Sequence, residues 1–224
     1  MVERIVVGPL HTNCYIFFSA KKECFIIDPG GNSDLVIKRL TALNLTPRLM
    51  VFTHGHLDHT AAAQDLRIHF ATLGVFVQTA VHKADAVYFG KKAEKSHRKS
   101  FMAFGGEGEA LFQEIYRGVP DADILLGEGD SILASDLRVI HTPGHTRGSI
   151  SLYSERHGIL FSGDTLFCEG VGRSDLDGGS SHSLVQSIRG KLYTLPPQTR
   201  VFPGHGPQTL LEREMRHNPF VRIN

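Results

Sequence analysis

The run Thr53-His54-Gly55-His56-Leu57-Asp58-His59 decides how this sequence is read. It follows the apolar, strand-like stretch Leu49–Phe52 and places His54, His56, Asp58 and His59 within six residues. Neutral imidazoles and carboxylates suit zinc and other borderline divalent ions. Four such groups on one turn do not all face the same ion. Alternate residues at the end of an extended chain share a side, so His54 and His56 are placed to grip one ion while Asp58 and His59 turn toward a second. The pattern implies a pair of metals, and with it hydrolysis.

Three further segments each put one metal-competent residue just after a strand. Thr142-Pro-Gly-His145 follows Leu137–His141, Ser162-Gly-Asp164-Thr follows Ile159–Phe161, and Pro203-Gly-His205-Gly follows Arg200–Phe202. In each, a glycine lets the backbone turn sharply and approach an ion closely. Loops over a rigid scaffold commonly carry function, so the four strand ends are expected to converge at one edge of the sheets. The five histidines and two aspartates make seven ligands, one short of two tetrahedral sites. With Asp164 as a bridge, His54, His56, His145 and Asp164 fill one site, and Asp58, His59, His205 and Asp164 the other. A bridging water or hydroxide completes both, leaving a net charge of about +1 that suits an electrophilic carbonyl or an anionic substrate.

The rest of the chain sets bounds. Its 224 residues suffice for one large core, and one domain spanning 1–224 is the simpler reading. A formal charge of +1 gives no sign of bulk attraction to nucleic acid or membrane. No apolar run approaches the roughly 18 residues of a membrane span, and Met1-Val-Glu-Arg leads into a strand without a leader-like apolar region. Cys14, Cys24 and Cys168 are odd in number and scattered, which argues against a disulfide framework and for the cytosol. The thirteen histidines stand out, several inside glycine-rich turns. Isolated ones such as His69 and His217 read as surface or helix-end residues. The charge run Lys91–Lys99 reads as a solvated helix face.

Apolar periodicity predicts strands at Arg4–Val7, Cys14–Ser19 and Cys24–Ile27, then a helix at Ser33–Leu43. Strand Leu49–Phe52, a helix from His59 to Phe70 and strand Val75–Gln78 follow. Residues 81–117 read as mostly helical or irregular, with a glycine break at Gly105-Gly106. A second β-rich half starts near Ile124, with strands at Ser131–Leu133, Leu137–His141, Ser149–Tyr153 and Ile159–Ser162. Helix Ser183–Leu192, strand Arg200–Phe202 and helix Gln208–His217 close the chain. Two β-rich halves, each followed by helices, imply an α/β protein of two packed sheets with helices outside.

Together these segments resemble the metallo-β-lactamase superfamily, whose fold is a four-layer αββα sandwich. The resemblance spans nearly the whole chain, from Ile27-Asp-Pro-Gly-Gly31 through Gly172-Arg-Ser-Asp175 to Asn218-Pro-Phe220. Within the superfamily the chain looks like the short glyoxalase-II-like hydrolases. That resemblance implies cleavage of a thioester such as S-lactoylglutathione by a metal-bound hydroxide, with a small-molecule substrate and two divalent ions. Zinc is the first expectation; iron and manganese are alternatives, and one site can stay empty. The seven ligands carry over as counted above.

Some positions depart from glyoxalase II. Those enzymes carry a further C-terminal helical region beyond the point matched by Asn218-Pro-Phe220. Arg173-Ser174-Asp175 replaces their Lys-Phe-Tyr, and Pro207 replaces a tyrosine. Arg173 is the remaining candidate to meet a substrate carboxylate. The Gly-Arg-Ser-Asp run also resembles the persulfide dioxygenases, which use one iron, so that oxidation is the alternative reading, alongside lactone or ester hydrolysis. Asp58 is the candidate catalytic residue, orienting the nucleophile and accepting its proton as the intermediate collapses. Asp28, Thr53 and Thr142 are candidates to orient the ligands, Asp28 having a competing role as a turn former before Pro29-Gly30. Cys168 reads as a buried structural thiol with only Arg173 basic and near it in sequence.

Overall fold

A computed structural model describes residues 1–18, 22–102, 105–133 and 135–223. The chain divides into two compact units, Met1–Val81 with Ala86–Leu125, and His82–Asp85 with Leu126–Asn224.

The first unit is built on a six-stranded sheet in which the strands lie in sequence order. β1 (Val2–Val7), β2 (Thr12–Phe18) and β3 (Glu23–Ile27) pair antiparallel. Helix α1 (Ser33–Ala42) returns the chain to β4 (Thr46–Val51), which runs parallel to β3. Helices α2 (Leu57–Thr60) and α3 (Ala63–Thr72) then lead to β5 (Gln78–His82), parallel to β4. Parallel neighbours require such crossovers, which carry the chain back to the starting edge. Helices α4 (Ala93–Met102) and α5 (Gly105–Ile115) precede the edge strand β6 (Ile124–Leu126). Every residue of β2 is buried, whereas the outer β1 alternates over much of its length, as an edge strand with one wet face should. The core of this unit gathers Ile16, Ile26, Met50, Phe52, Leu66 and Phe112.

The second unit holds a five-stranded sheet of β7 (Leu137–His141), β8 (Ile150–Ser154), β9 (Ile159–Gly163), β12 (Arg200–Pro203) and β13 (Thr209–Leu210). Between β9 and β12 come a small hairpin of β10 (Leu166–Phe167) with β11 (Gly170–Val171), and helix α6 (Ser181–Gly190). Helix α7 (Leu211–His217) follows β13. The Ser180 hydroxyl caps α6 by accepting from the Ser183 amide at 3.2 Å. Leu160, Leu184, Ile188, Val201 and Leu211 form this unit's core.

Sheet direction places the functional segments. β3 and β4 are parallel with Ile27 opposite Val51, so residue 28 and the run 53–59 leave the sheet at the same edge. β7 and β9 are both antiparallel to β8, and β12 is parallel to β9, so residues 145, 164 and 205 also follow strands ending at one edge of their sheet.

Several expected elements shift. The helix expected over 59–70 is two helices, because Ala62 turns its amide to the Pro29 carbonyl at 3.0 Å. The strand expected at Val75–Gln78 lies at Gln78–His82, where parallel pairing with Leu49–Val51 fixes it. Ser131–Leu133 forms only an isolated bridge at Ser131, and Leu133 has φ 42. Ile124–Leu126 is the edge of the first sheet rather than the start of a second β half. The glycine break falls where expected, with α4 ending at Met102 and α5 opening at Gly105, whose φ is 66. Residue 19, expected to end a strand, lies outside the described residues. Residues 208–210 are not helical, since Thr209 and Leu210 pair with β12 before α7 begins.

Candidate metal centre

In the first unit the run 53–59 spans the turn after β4 and the start of α2 and is buried over nearly its whole length. His54, His56 and His59 are 1%, 8% and 0% exposed. Their rings cluster, with centroids 4.8 Å apart for His54 and His56 and 4.1 Å for His54 and His59. Three buried imidazoles at that spacing repel one another if protonated, so the cluster suits neutral rings offering lone pairs to a cation.

Asp28 stands beside two of these histidines. Its carboxylate accepts from the Thr53 amide at 2.8 Å and from the Thr53 hydroxyl at 2.6 Å. Its Oδ2 also lies 3.0 Å from His59 Nδ1. The contact lacks hydrogen-bond alignment, so what Asp28 gives His59 is a negative charge beside Nδ1. The Thr53 hydroxyl has one proton, already donated to Asp28. It therefore accepts from His54 Nδ1 at 3.2 Å, and the Nε2 of His54 is left as a ligand atom. Asp28 also forms the turn, with φ 52 just before Pro29, a left-handed conformation that non-glycine residues adopt infrequently. Asp58 receives the Thr12 hydroxyl at 3.3 Å, and its Oδ2 lies 3.5 Å from His59 Nε2.

In the second unit the Oδ2 of Asp164 lies 3.7 Å from His145 Nε2 and 3.5 Å from His205 Nε2. One carboxylate oxygen between two imidazole nitrogens is the arrangement of a shared ligand. His145 Nδ1 donates to the Arg173 carbonyl at 2.7 Å, which again directs Nε2 toward the acid. Phe167 meets the His205 ring edge-on at 6.2 Å. The donor chemistry of both groups, clustered imidazoles with carboxylates beside them and the second nitrogens of His54 and His145 hydrogen-bonded, fits divalent metal, and these His and Asp side chains form groups able to hold a metal ion.

Two glycines are required by close approach. A Cβ on Gly30 would fall 1.6 Å from the Asp58 carbonyl oxygen, and one on Gly172 would fall 1.8 Å from that of Asp164. Each acidic donor is thus braced through its backbone by a turn with no side chain.

Other expected residues sit differently. The Arg173 guanidinium grips Asp175 through two contacts of 2.8 Å, which holds the Asp175 carboxyl down to about 2. What Arg173 gives the site in this structure is its carbonyl. Thr142 faces Ser151 and Thr165 rather than a ligand. Cys168 is half-buried rather than buried, and its basic neighbour is Arg213 rather than Arg173. In the run Lys91–Lys99, α4 buries Ala93, His97 and Phe101 on one side, while Arg98 pairs with Glu94 and Glu109.

Sequence reasoning missed Tyr88 and Thr12. The Tyr88 ring packs edge-on to His56 at 5.9 Å, and its carbonyl lies 3.0 Å from His97 Nε2. Neither residue belongs to a recognisable metal-binding spacing. Their contacts come only from the folded chain.

The sequence model of the Metallo-beta-lactamase superfamily matches residues 7–205. The chain belongs to this superfamily. It is similar to hydroxyacylglutathione hydrolase GloC of Haemophilus influenzae, with 32% identity over 98% of this chain and 97% of that protein. The crystal structure of the BLEG-1 B3 metallo-beta-lactamase superposes with a TM-score of 0.83 at 34% identity, covering 99% of each chain. That of TTHA1623 in a di-iron-bound form gives 0.81 at 30% identity, covering 98% of this chain and all of that one. Superfamily membership fixes the metallo-β-lactamase fold class expected from the sequence, with metal binding and hydrolase chemistry as its general character. Among the described residues no helix is long and apolar enough to cross a membrane.

Proposed function

We propose that the protein is a metal-dependent hydrolase of a small thioester of the S-lactoylglutathione type. The observation that carries this reading is the buried trio His54, His56 and His59, with the Asp28 carboxylate beside it, in a chain similar along its length to a hydroxyacylglutathione hydrolase. In this reading His54, His56, His145 and Asp164 would hold one divalent ion, and Asp58, His59 and His205, with Asp164, would hold the other, with zinc as the proposed metal.

Such ions supply Lewis acidity and lower the pKa of water from about 15.7 to about 7, so that hydroxide is available at neutral pH. The protein's own residues do the rest. Asp58, steadied by the Thr12 hydroxyl, orients the attacking water and takes its proton. Asp28, through Thr53, and the Arg173 carbonyl keep the His54 and His145 rings from rotating. A thiolate leaves without needing a strong general acid. The substrate is a small molecule, with no role for nucleic acid or membrane, and a cytosolic setting agrees with the buried thiols of Cys14 and Cys24.

The test is metal analysis of the purified protein together with S-lactoylglutathione, a lactone, a β-lactam and glutathione persulfide on the same sample. Two zinc equivalents and thioester cleavage at least tenfold faster than turnover of the others are expected. Oxygen uptake with the persulfide and no thioester cleavage would replace hydrolysis with iron-dependent oxidation.

A further inference from the structure

We propose that Asp85 is a positioning residue for His145, acting through the segment His82-Lys-Ala-Asp85. This inference rests on the reading above that His145 is a metal ligand.

The segment belongs to the second unit although the chain on both sides of it belongs to the first. It holds the loop that carries His145 at two places. Asp85 is 1% exposed, and its Oδ2 accepts from the Thr146 hydroxyl at 2.7 Å while its Oδ1 accepts from the Gly148 amide at 2.7 Å. The Thr146 proton being committed to Asp85, its hydroxyl oxygen accepts from Ser149 at 2.8 Å, and the Thr146 amide donates to the same Ser149 oxygen at 3.0 Å. Residues 146, 148 and 149 are thereby locked on one carboxylate. Three residues earlier in the segment, His82 stacks on His141 with centroids 4.0 Å apart and 14° between the planes. His141 in turn donates from Nε2 to the Arg147 carbonyl at 2.9 Å. His82 accepts the Ala84 amide at Nδ1, 3.3 Å, and burial lowers it to about 4, which keeps it neutral and stacked at ordinary pH.

Thus the turn between β7 and β8 is gripped near its start through His141 and just after His145 through Thr146 and Gly148. A loop ligand left to itself samples many poses, and each must be given up when a metal binds. Asp85 removes that freedom beforehand. Its carboxylate holds residues on the C-terminal side of His145, so its effect is on ligand geometry.

The experiment compares D85N, T146V, T146S and H145A in the full chain. Zinc affinity is measured by equilibrium competition with a chromophoric chelator, and the thermal midpoint of the metal-stripped protein is read in parallel. D85N and T146V are expected to weaken zinc binding about 10- to 100-fold, the range for lost partners of ligating residues, while T146S keeps wild-type affinity by restoring the hydroxyl. Wild-type zinc affinity in D85N and T146V, with only the midpoint lowered, would overturn the proposal and leave Asp85 a purely structural residue. Should D85N fail to fold, T146V against T146S decides. Unchanged zinc affinity in H145A would instead sink the metal assignment on which the proposal rests.

Discussion

Oδ2 of Asp28 lies 3.0 Å from Nδ1 of His59 and 2.6 Å from the Thr53 hydroxyl, whose oxygen faces Nδ1 of His54 at 3.2 Å. One buried carboxylate therefore sets the tautomer of His54 through Thr53 and places its charge against His59. Replacing Asp28 by Asn puts an amide where an anion now receives two protons. Zinc affinity measured by chelator competition is expected to fall about 10- to 100-fold. Alanine at the same position also strands the Thr53 amide, and a loss of about 1–3 kcal/mol in unfolding free energy should accompany it. Wild-type metal affinity in the Asn variant would show that the imidazoles are oriented by other groups.

Metal removal should cost stability. Ions that bind only the folded chain add RT ln(1 + [L]/Kd), about 4 kcal/mol when free metal exceeds Kd a thousandfold. The thermal midpoint of chelator-stripped protein is therefore expected to climb steadily as zinc is titrated back. A midpoint indifferent to zinc, manganese and iron alike would mean that the buried imidazole cluster holds no cation.

His97 gives the stability a pH dependence. Burial lowers it from an ordinary value of 6.5 to about 4. The unfolded chain thus binds the proton more readily between those values, and stability falls as pH drops from 6.5 toward 4. Above 6.5 the contribution is constant. The shift corresponds to about 3 kcal/mol. In urea unfolding, His97→Gln, which retains a donor for the Tyr88 carbonyl, should lose less stability over this window than the wild type. Identical losses in the two proteins would exclude His97 as the source.

Gly30→Ala is expected to be severe. The new methyl would sit 1.6 Å from the Asp58 carbonyl oxygen, a backbone atom that moves only if the whole turn moves. A loss of about 3 kcal/mol or more, with weakened metal binding, is the expected result. Unfolding and metal titration of one preparation would check both. A variant with wild-type values would imply that the 28–31 turn is not the brace the geometry describes.

The donor segments were legible because each couples an apolar strand with a glycine turn and a metal-competent side chain, a local pattern that survives without coordinates. Asp28 was legible only as a candidate, since a turn before Pro29-Gly30 and a partner for histidine ask for the same residue type. The break at Ala61–Ala62 was not visible, because both residues favour helix and the Pro29 carbonyl that interrupts them is 33 positions upstream. Strand β5 was placed too early because Val75-Phe76-Val77 has the stronger β composition, while the actual register is set by pairing with β4. Thr12 and Asp85 carried no sequence signal at all. They act on residues 46 and 61 positions away, and only the folded chain reveals such contacts.

The common direction of β7, β9 and β12 leaves the Glu155-Arg156 turn, exposed between β8 and β9, at the far end of that sheet from where residues 145, 164 and 205 emerge. A dye, a tether or a support attached there would burden none of those three donors. That turn is the natural handle for immobilising the protein while its chemistry is assayed.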